Sequence, residues 1–136
     1  MPLRAMIVSA VVACVWASGA MSQDEVDCDD PITQSDMNQC AAIDYEEADA
    51  ELNATWKEAR AAAKALDEEQ PEEWRGAVDA LVEGQRGWIA YRDGACELYG
   101  FEARGGSMES MLVSGCKATM TRARTKELRE FVDGPQ

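Results

Sequence analysis

The sequence predicts an all-α fold, a small disulfide-stapled bundle of three main helices that follows a cleaved signal peptide. Three stretches repeat apolar residues at steps of three or four, which is the spacing of one helix face. Proline and a glycine-rich segment separate these stretches, and no segment alternates strongly enough to be a strand. Four cysteines spread through the stretches add covalent links, and one domain is the expected count for 136 residues.

The N-terminus has the features of a secretory signal peptide over residues 1–20. Arg4 supplies a positive charge, and an unbroken run of apolar and small residues follows it. Cleavage after Ala20 satisfies the preference for small residues and leaves a domain over residues 21–136. Two alternatives stay open, a retained membrane anchor and a lipoprotein modified at Cys14. The predicted location is periplasmic or secreted, with no stable membrane span after signal cleavage.

The first helix is expected at about residues 34–69. Thr33 or Ser35 can cap its N-terminus, because a hydroxyl accepts hydrogen bonds from the free N–H groups of the first turn. A single apolar stripe then lies along it: Met37, Ala41, Ala48, Leu52, Trp56, Ala59, Ala63 and Leu66. Pro71 ends the helix, since proline has no N–H for the helical ladder and restricts the residue before it.

The second and third helices are expected at about residues 71–98 and 107–132. Pro71 suits the first position of the second helix, where the missing N–H has no helical partner to lose. The inner stripe of this helix is predicted to contain Trp74, Val78, Leu81, Gln85, Trp88, Arg92 and Ala95. Ser107 is placed to cap the third helix after the breaker-rich residues 100–106.

Four cysteines remain beyond the signal peptide: Cys28, Cys40, Cys96 and Cys116. In an oxidising compartment they are expected to form two disulfides, for which three connectivities exist. Pairing Cys28 with Cys40, and Cys96 with Cys116, closes short loops and is favoured. The rival pairing of Cys40 with Cys96, and Cys28 with Cys116, would tie separate helices together. A zinc site is not expected, because the chain has neither histidine nor a Cys-x-x-Cys pair.

Polar residues interrupt the apolar stripes of the first two helices. Asp49 and Asn53 lie one turn apart on the first helix, and Gln85 and Arg92 lie on the stripe of the second. An unpaired buried charge is costly, so Arg92 is expected to meet Asp49 or Asn53, with Gln85 joining the network. These four residues either set the register of the helices or form a small recognition site at the side of the bundle.

Four blocks of residues occur in order along the chain: Thr33-Gln34-Ser35-Asp36-Met37-Asn38-Gln39-Cys40, then Ala48-Asp49-x-x-Leu52-Asn53-x-x-Trp56, then Gln85-x-x-Trp88-Ile89-x-Tyr91-Arg92-Asp93-x-x-Cys96, then Cys116 with Thr121, Arg124 and Leu128. Together they resemble the LprI-like lysozyme-inhibitor N-terminal domain family of small secreted or lipid-anchored bacterial proteins. The resemblance makes Trp56, Trp88 and Tyr91 family-pattern aromatics. It implies a periplasmic helical protein and, because the family is named for a lysozyme inhibitor, a similar binding function.

The chain is strongly acidic, with a formal net charge of −13 that becomes −14 once Arg4 is removed with the signal peptide. Lysozymes are usually basic, so long-range attraction favours such a partner, whereas a negative surface disfavours nucleic acid. Acidic residues crowd the connection between the first two helices and are candidate partner contacts: Asp67, Glu68, Glu69, Glu72 and Glu73. The alternative for these five is a solvated helix end whose carboxylates complement the helix dipole.

The sequence predicts no catalytic residue, cofactor or metal ligand set. No nucleophile and base stand out as a pair among 26 acidic residues, and the chain has no histidine. This pattern favours non-enzymatic binding, and the family resemblance implies that such binding protects the cell wall from lysozyme. The alternative is a structural or stress-related envelope protein without lysozyme activity, whose residue pattern only builds the bundle.

Overall fold

The computed structural model describes residues 26–134. They form three α-helices, α1 (Gln34–Glu69), α2 (Ala77–Gly100) and α3 (Glu109–Asp133), with 3₁₀ turns at Glu72–Trp74 and Phe101–Ala103. This part of the chain contains no strand, so the predicted all-α class is confirmed. None of the helices described here is both long and apolar enough to cross a membrane. The predicted signal peptide, residues 1–20, and Cys14 lie outside the described residues.

A capping box fixes the start of α1. The Thr33 hydroxyl accepts the backbone N–H of Asp36 at 3.1 Å, and the Asp36 carboxylate accepts the N–H of Thr33 at 3.0 Å. Hydrogen bonds with the backbone and then the side chain of Thr33 lower the pKa of Asp36 below its ordinary value. Of the two expected caps, Thr33 is therefore the one used, and Ser35 lies inside the first turn.

The second helix begins later than expected, at Ala77 rather than near residue 71. The Asp67 carboxylate, at the end of α1, accepts the N–H groups of Gly76 and Ala77 at 2.8 Å and that of the next residue at 3.1 Å. Gly76 has a φ of +149°, a backbone angle that residues with side chains rarely adopt. The stretch expected to open α2 therefore forms the 3₁₀ turn Glu72–Trp74, and α2 starts after the glycine.

The third helix begins at Glu109, after the expected cap Ser107. The Glu109 carboxylate accepts the backbone N–H of Gly105 at 2.8 Å and a guanidinium N–H of Arg104 at 2.7 Å. The N–H of Gly105, and then the charge of Arg104, lower the pKa of Glu109. Ser107 contributes its carbonyl instead, which accepts a hydrogen bond from the Asn38 amide at 2.9 Å and links this end of the bundle to α1.

Helices α1 and α3 are parallel, and α2 is antiparallel to both. Residue pairs between α1 and α3 advance together along the chain: Gln34 with Met111, Asp44 with Arg122, and Glu51 with Arg129. Pairs between α2 and α3 advance in opposite directions: Gln85 with Arg124, Arg92 with Thr121, and Cys96 with Cys116. The three helices thus form an up-down-up bundle, with the α1–α2 connection at one end and the α2–α3 connection at the other.

The core is a narrow seam of mostly small residues. Its buried apolar residues are Ala48, Leu52, Ala59, Ala63, Cys96, Ala118 and Leu128. The partly buried side chains that pack against it are Trp56, Leu81, Trp88 and Val132. Thr121 and Thr125 are also buried, and the Thr125 hydroxyl donates to the Thr121 carbonyl at 3.0 Å, which satisfies that polar group. The small side chains of Ala59 and Ala63, one turn apart on α1, leave room for the neighbouring helices.

Two disulfides join Cys28 to Cys40 and Cys96 to Cys116, which is the favoured connectivity. The first fastens the segment before α1 onto that helix, and the second joins the end of α2 to the start of α3. Because α2 is antiparallel to its neighbours, both bonds lie in the same half of the bundle. The α1–α2 connection lies at the opposite end, where the described residues are held by noncovalent contacts.

Candidate functional site

Arg92 is the centre of a polar group between the three helices. Its own side chain is only 7% exposed, whereas its carboxylate partners Asp49 and Asp93 are partly exposed. Its Nε donates to Asp93 Oδ1 at 3.0 Å. Its Nη1 lies 3.8 Å from Asp49 Oδ1 and donates to Thr121 Oγ1 at 3.4 Å. The guanidinium therefore has polar partners on its own helix and on both neighbouring helices, which is what a buried arginine needs.

Two aromatic rings cover the Arg92 guanidinium. Its central carbon lies 5.0 Å from the centre of the Trp88 ring and 5.4 Å from that of Tyr45. Cation–π contacts of this kind stabilise a desolvated arginine by roughly 0.5–2 kcal/mol each. We call the whole group the Arg92 cluster, defined as Tyr45, Asp49, Trp88, Arg92, Asp93 and Thr121.

Of the four polar residues predicted to form a network, the cluster brings together Arg92 and Asp49. Asn53 does not contact Arg92 directly, because its amide donates to Asp49 at 2.8 Å. Gln85 does not join either, and its Oε1 accepts the Nε–H of Arg124 at 3.0 Å. Gln85 and Arg92 are seven residues apart on α2, about 10 Å along the helix, and Arg124 is the hydrogen-bond partner of Gln85.

Sequence reasoning missed Asp93, Tyr45 and Thr121 as partners of Arg92. Asp93 also lies 3.3 Å from the ammonium of Lys117. Burial opposes the ionisation of Asp93, but the hydrogen bonds and positive charges of Arg92 and Lys117 outweigh that effect and lower its pKa. The Arg92-Asp93 dipeptide was a visible signal, whereas Tyr45 and Thr121 are found only from the register of the helices. A carboxylate with a lowered pKa is poorly suited to be a general acid near neutral pH.

The three family-pattern aromatics lie in different environments. Trp56 and Trp88 are partly buried and pack against the core. Tyr91 is 67% exposed on the outer face of α2. The two tryptophans therefore help to build the bundle, while Tyr91 remains accessible to solvent.

The second region of interest is the end of the bundle that contains the α1–α2 connection, residues 64–76, which we call the tip. No residue of α1 after Ala63 is buried, and neither is any residue of the 3₁₀ turn. Asp67 accepts three backbone N–H groups, beginning with that of Gly76, and these hydrogen bonds lower its pKa. Asp67 is therefore a capping residue. The other four predicted contact residues are exposed: Glu68, Glu69, Glu72 and Glu73.

Trp74 lies at the tip, although it was expected on the inner stripe of the second helix. It ends the 3₁₀ turn, and its side chain is 73% exposed. The cause is the late start of α2, because the helical periodicity that would have aligned Trp74 with Leu81 is interrupted at Gly76. The tip thus presents an indole beside several carboxylates.

The grooves of the bundle are open, and the one beside the Cys96–Cys116 bond has a volume of about 500 Å³. Its lining is mostly apolar: Tyr99, Met111, Leu112, Gly115, Cys116, Thr119 and Met120. Hydrolysis of a glycosidic bond would need two carboxyl groups facing one cleft, and none of these lining residues is acidic. Within residues 26–134, no three cysteine, aspartate or glutamate side chains are grouped as metal ligands would be.

Comparison with known proteins gives a family match over most of the chain. The family model described as lysozyme inhibitor LprI matches residues 28–128. An uncharacterised protein of Rhizobium meliloti (strain 1021) is 49% identical over 130 residues, which cover 93% of this chain and 94% of that relative. No solved structure matches the chain. The matched region includes both disulfides, all of α1 and α2, and most of α3.

Proposed function

The chain belongs to the lysozyme inhibitor LprI family, and from that membership we propose that it is a non-enzymatic, extracytoplasmic protein that binds and inhibits lysozyme. The observation that carries the proposal is the family match over residues 28–128. That range contains the complete Arg92 cluster and the complete tip, so the match concerns the folded unit as a whole.

The disulfides support the location in this proposal. Bonds such as Cys28–Cys40 and Cys96–Cys116 form and persist in oxidising compartments, which include the bacterial periplasm and the extracellular space. The residues of the predicted signal peptide, 1–20, would direct the chain to such a compartment. A protein in the periplasm would meet a lysozyme at the cell wall that the enzyme degrades.

The charge of the chain supports the choice of partner. With 26 acidic and 13 basic residues, the chain has a formal net charge of −13. A negative protein is drawn to a basic one through long-range attraction, which raises the association rate at low ionic strength. Charge alone gives neither affinity nor specificity, so a defined contact surface is also required.

Inhibition is tested by the clearing of bacterial cell-wall suspensions by c-type and g-type lysozymes, with and without the purified, disulfide-bonded protein. We expect an equimolar amount to slow clearing by at least one type, and to do so at about 0.15 M ionic strength, where screening limits unspecific charge pairing. Reduced and alkylated protein serves as the control, because it retains the composition but loses the covalent links. No slowing with any lysozyme, or slowing that disappears at this ionic strength, would contradict the proposal and favour a structural or stress-related role in the envelope.

A further inference from the structure

Trp74 is exposed to solvent at the end of the hydrogen-bonded 3₁₀ turn Glu72–Trp74. Tryptophan is highly buried on average, and its large apolar surface makes exposure unfavourable. Here 73% of the residue is exposed, although Trp56 and Trp88 of the same chain pack against the core. An exposed tryptophan is also the residue type that most often supplies the binding energy of a protein interface.

The turn that holds Trp74 is fixed by its own hydrogen bonds. The N–H of Trp74 donates to the Pro71 carbonyl at 2.9 Å, and Nε of Arg75 donates to the Gln70 carbonyl at 3.1 Å. Asp67 then ties the following residues to the end of α1 through three further N–H groups. Because these hydrogen bonds already define the turn, binding through Trp74 would cost less conformational entropy than binding through a loop without them.

The charges around Trp74 indicate the kind of partner that fits. The tip contains five carboxylates and two cations, a net charge of −3. Glu69, Glu72 and Glu73 are exposed and form no ion pair with another residue among those described, 26–134. A second copy of the chain would bring the same negative charges together, which is unfavourable. A basic protein surface is complementary.

We propose that the tip is the surface that docks onto the basic partner, with Trp74 inserted as the apolar anchor and Glu69, Glu72 and Glu73 as its charged rim. This inference rests on the proposed function, since the partner is the lysozyme that the chain inhibits. It adds the contact surface, which family membership does not provide. The anchor supplies most of the affinity, and the rim supplies the association rate and its dependence on salt.

The test compares the binding of two full-length variants with that of the unmodified protein, using a lysozyme that this protein inhibits. Trp74→Ala is expected to weaken binding about 30-fold, the size typical of an interface hot spot, and to raise the concentration needed for half-inhibition by the same factor. Tyr91→Ala is the matched control, because Tyr91 is an aromatic residue of similar exposure on α2, outside the tip. It is expected to leave binding unchanged. Both side chains are exposed, so both variants should have the thermal stability of the unmodified protein.

A second pair of variants tests the charged rim. Glu72→Gln with Glu73→Gln is expected to lower the association rate roughly threefold to tenfold at low salt and to flatten its salt dependence. Glu46→Gln with Glu47→Gln removes the same charge from an exposed part of α1 and should have a smaller effect. Equal effects of the two pairs would show that only the total charge matters and would remove the rim from the proposal.

The outcomes separate the two proposals. If the unmodified protein inhibits lysozyme and Trp74→Ala binds equally well, the tip is not the docking surface, while the inhibitor function stands. If Tyr91→Ala loses binding instead, the outer face of α2 is the docking surface and the tip is again overturned. If the unmodified protein inhibits no lysozyme, the proposed function fails, and the docking inference fails with it.

Discussion

Replacing Gly100 with alanine tests how closely α2 approaches α3 near the Cys96–Cys116 bond. A methyl group built at Gly100 would lie 2.5 Å from Cγ2 of Val113, a distance that real side chains do not tolerate. Val113 cannot easily turn away, because a β-branched residue in a helix has one strongly preferred rotamer. The helices would have to separate at this point, which is beside one of the two covalent links.

The change in the free energy of unfolding caused by Gly100→Ala follows from two opposing effects. Alanine favours a helix over glycine by about 1 kcal/mol, and overpacking a close contact typically costs about 1–3 kcal/mol. With a mid-range overpacking cost of about 2 kcal/mol, we therefore expect Gly100→Ala to lower the free energy of unfolding by about 1 kcal/mol. Gly94→Ala, in the same helix, is the matched control because no atom lies within 4 Å of the added methyl group. It should raise the stability by about 0.5–1 kcal/mol.

Thermal unfolding with the disulfides intact measures both changes. For a domain of roughly 110 residues, 1 kcal/mol corresponds to a shift in Tm of about 4 °C, and the two variants should melt on opposite sides of the unmodified protein. Adding Val113→Ala to Gly100→Ala should recover part of the loss by removing the clashing methyl group. Equal melting of Gly100→Ala and Gly94→Ala would refute the close approach of the two helices.

Three further variants test the interior and the helix ends. Arg92→Met should destabilise the protein by about 2–4 kcal/mol in thermal unfolding, because it removes two cation–π contacts and leaves the Thr121 hydroxyl without its partner. It should leave lysozyme binding by the folded protein unchanged. A loss of binding without a loss of stability would assign the Arg92 cluster to recognition. Asp67 has a pKa lowered by the N–H groups it accepts, so its contribution to stability is present above its unfolded value of 3.8 and is lost as the pH falls through its folded pKa. Asp67→Asn should therefore flatten the decline of Tm below about pH 4 relative to the unmodified protein, and an identical acid profile would count against the cap. Cys96→Ser with Cys116→Ser removes the disulfide between residues 20 apart and should lower the free energy of unfolding by about 3 kcal/mol. An unchanged denaturant midpoint would contradict a structural role for this disulfide.

The periodicity of apolar residues was sufficient to predict three helices, because each helix must bury one stripe against its neighbours. It was not sufficient to place the start of α2. The cap of this helix is Asp67, which is nine to eleven residues away along the chain and belongs to the preceding helix. Rules for helix starts consider residues within one turn, so they favoured Pro71, and the misplacement of Trp74 followed from the same cause.

The polar residues show a similar limit. The cost of burying a lone charge correctly indicated that Arg92 needs a partner across the helix pair, and Asp49 lies at 3.8 Å. The partner of Gln85 was harder to predict, because an apolar stripe gives the face of a helix but not the position along it at which a residue of another helix makes contact. Arg124 occupies that position and binds Gln85. Its guanidinium also lies 6.0 Å from the centre of the Trp88 ring.

Placing both covalent bridges in one half of the bundle makes resistance to local opening unequal along its length. Backbone amides near the bridges should exchange with deuterium slowly, because the covalent links hold the helices together. Amides of the α1–α2 hairpin should exchange faster, because only noncovalent contacts oppose local opening there. A ligand bound to that hairpin would therefore slow exchange at the amides that otherwise exchange fastest. Hydrogen–deuterium exchange mass spectrometry would then detect binding as a large decrease in deuterium uptake in the hairpin, with little change elsewhere.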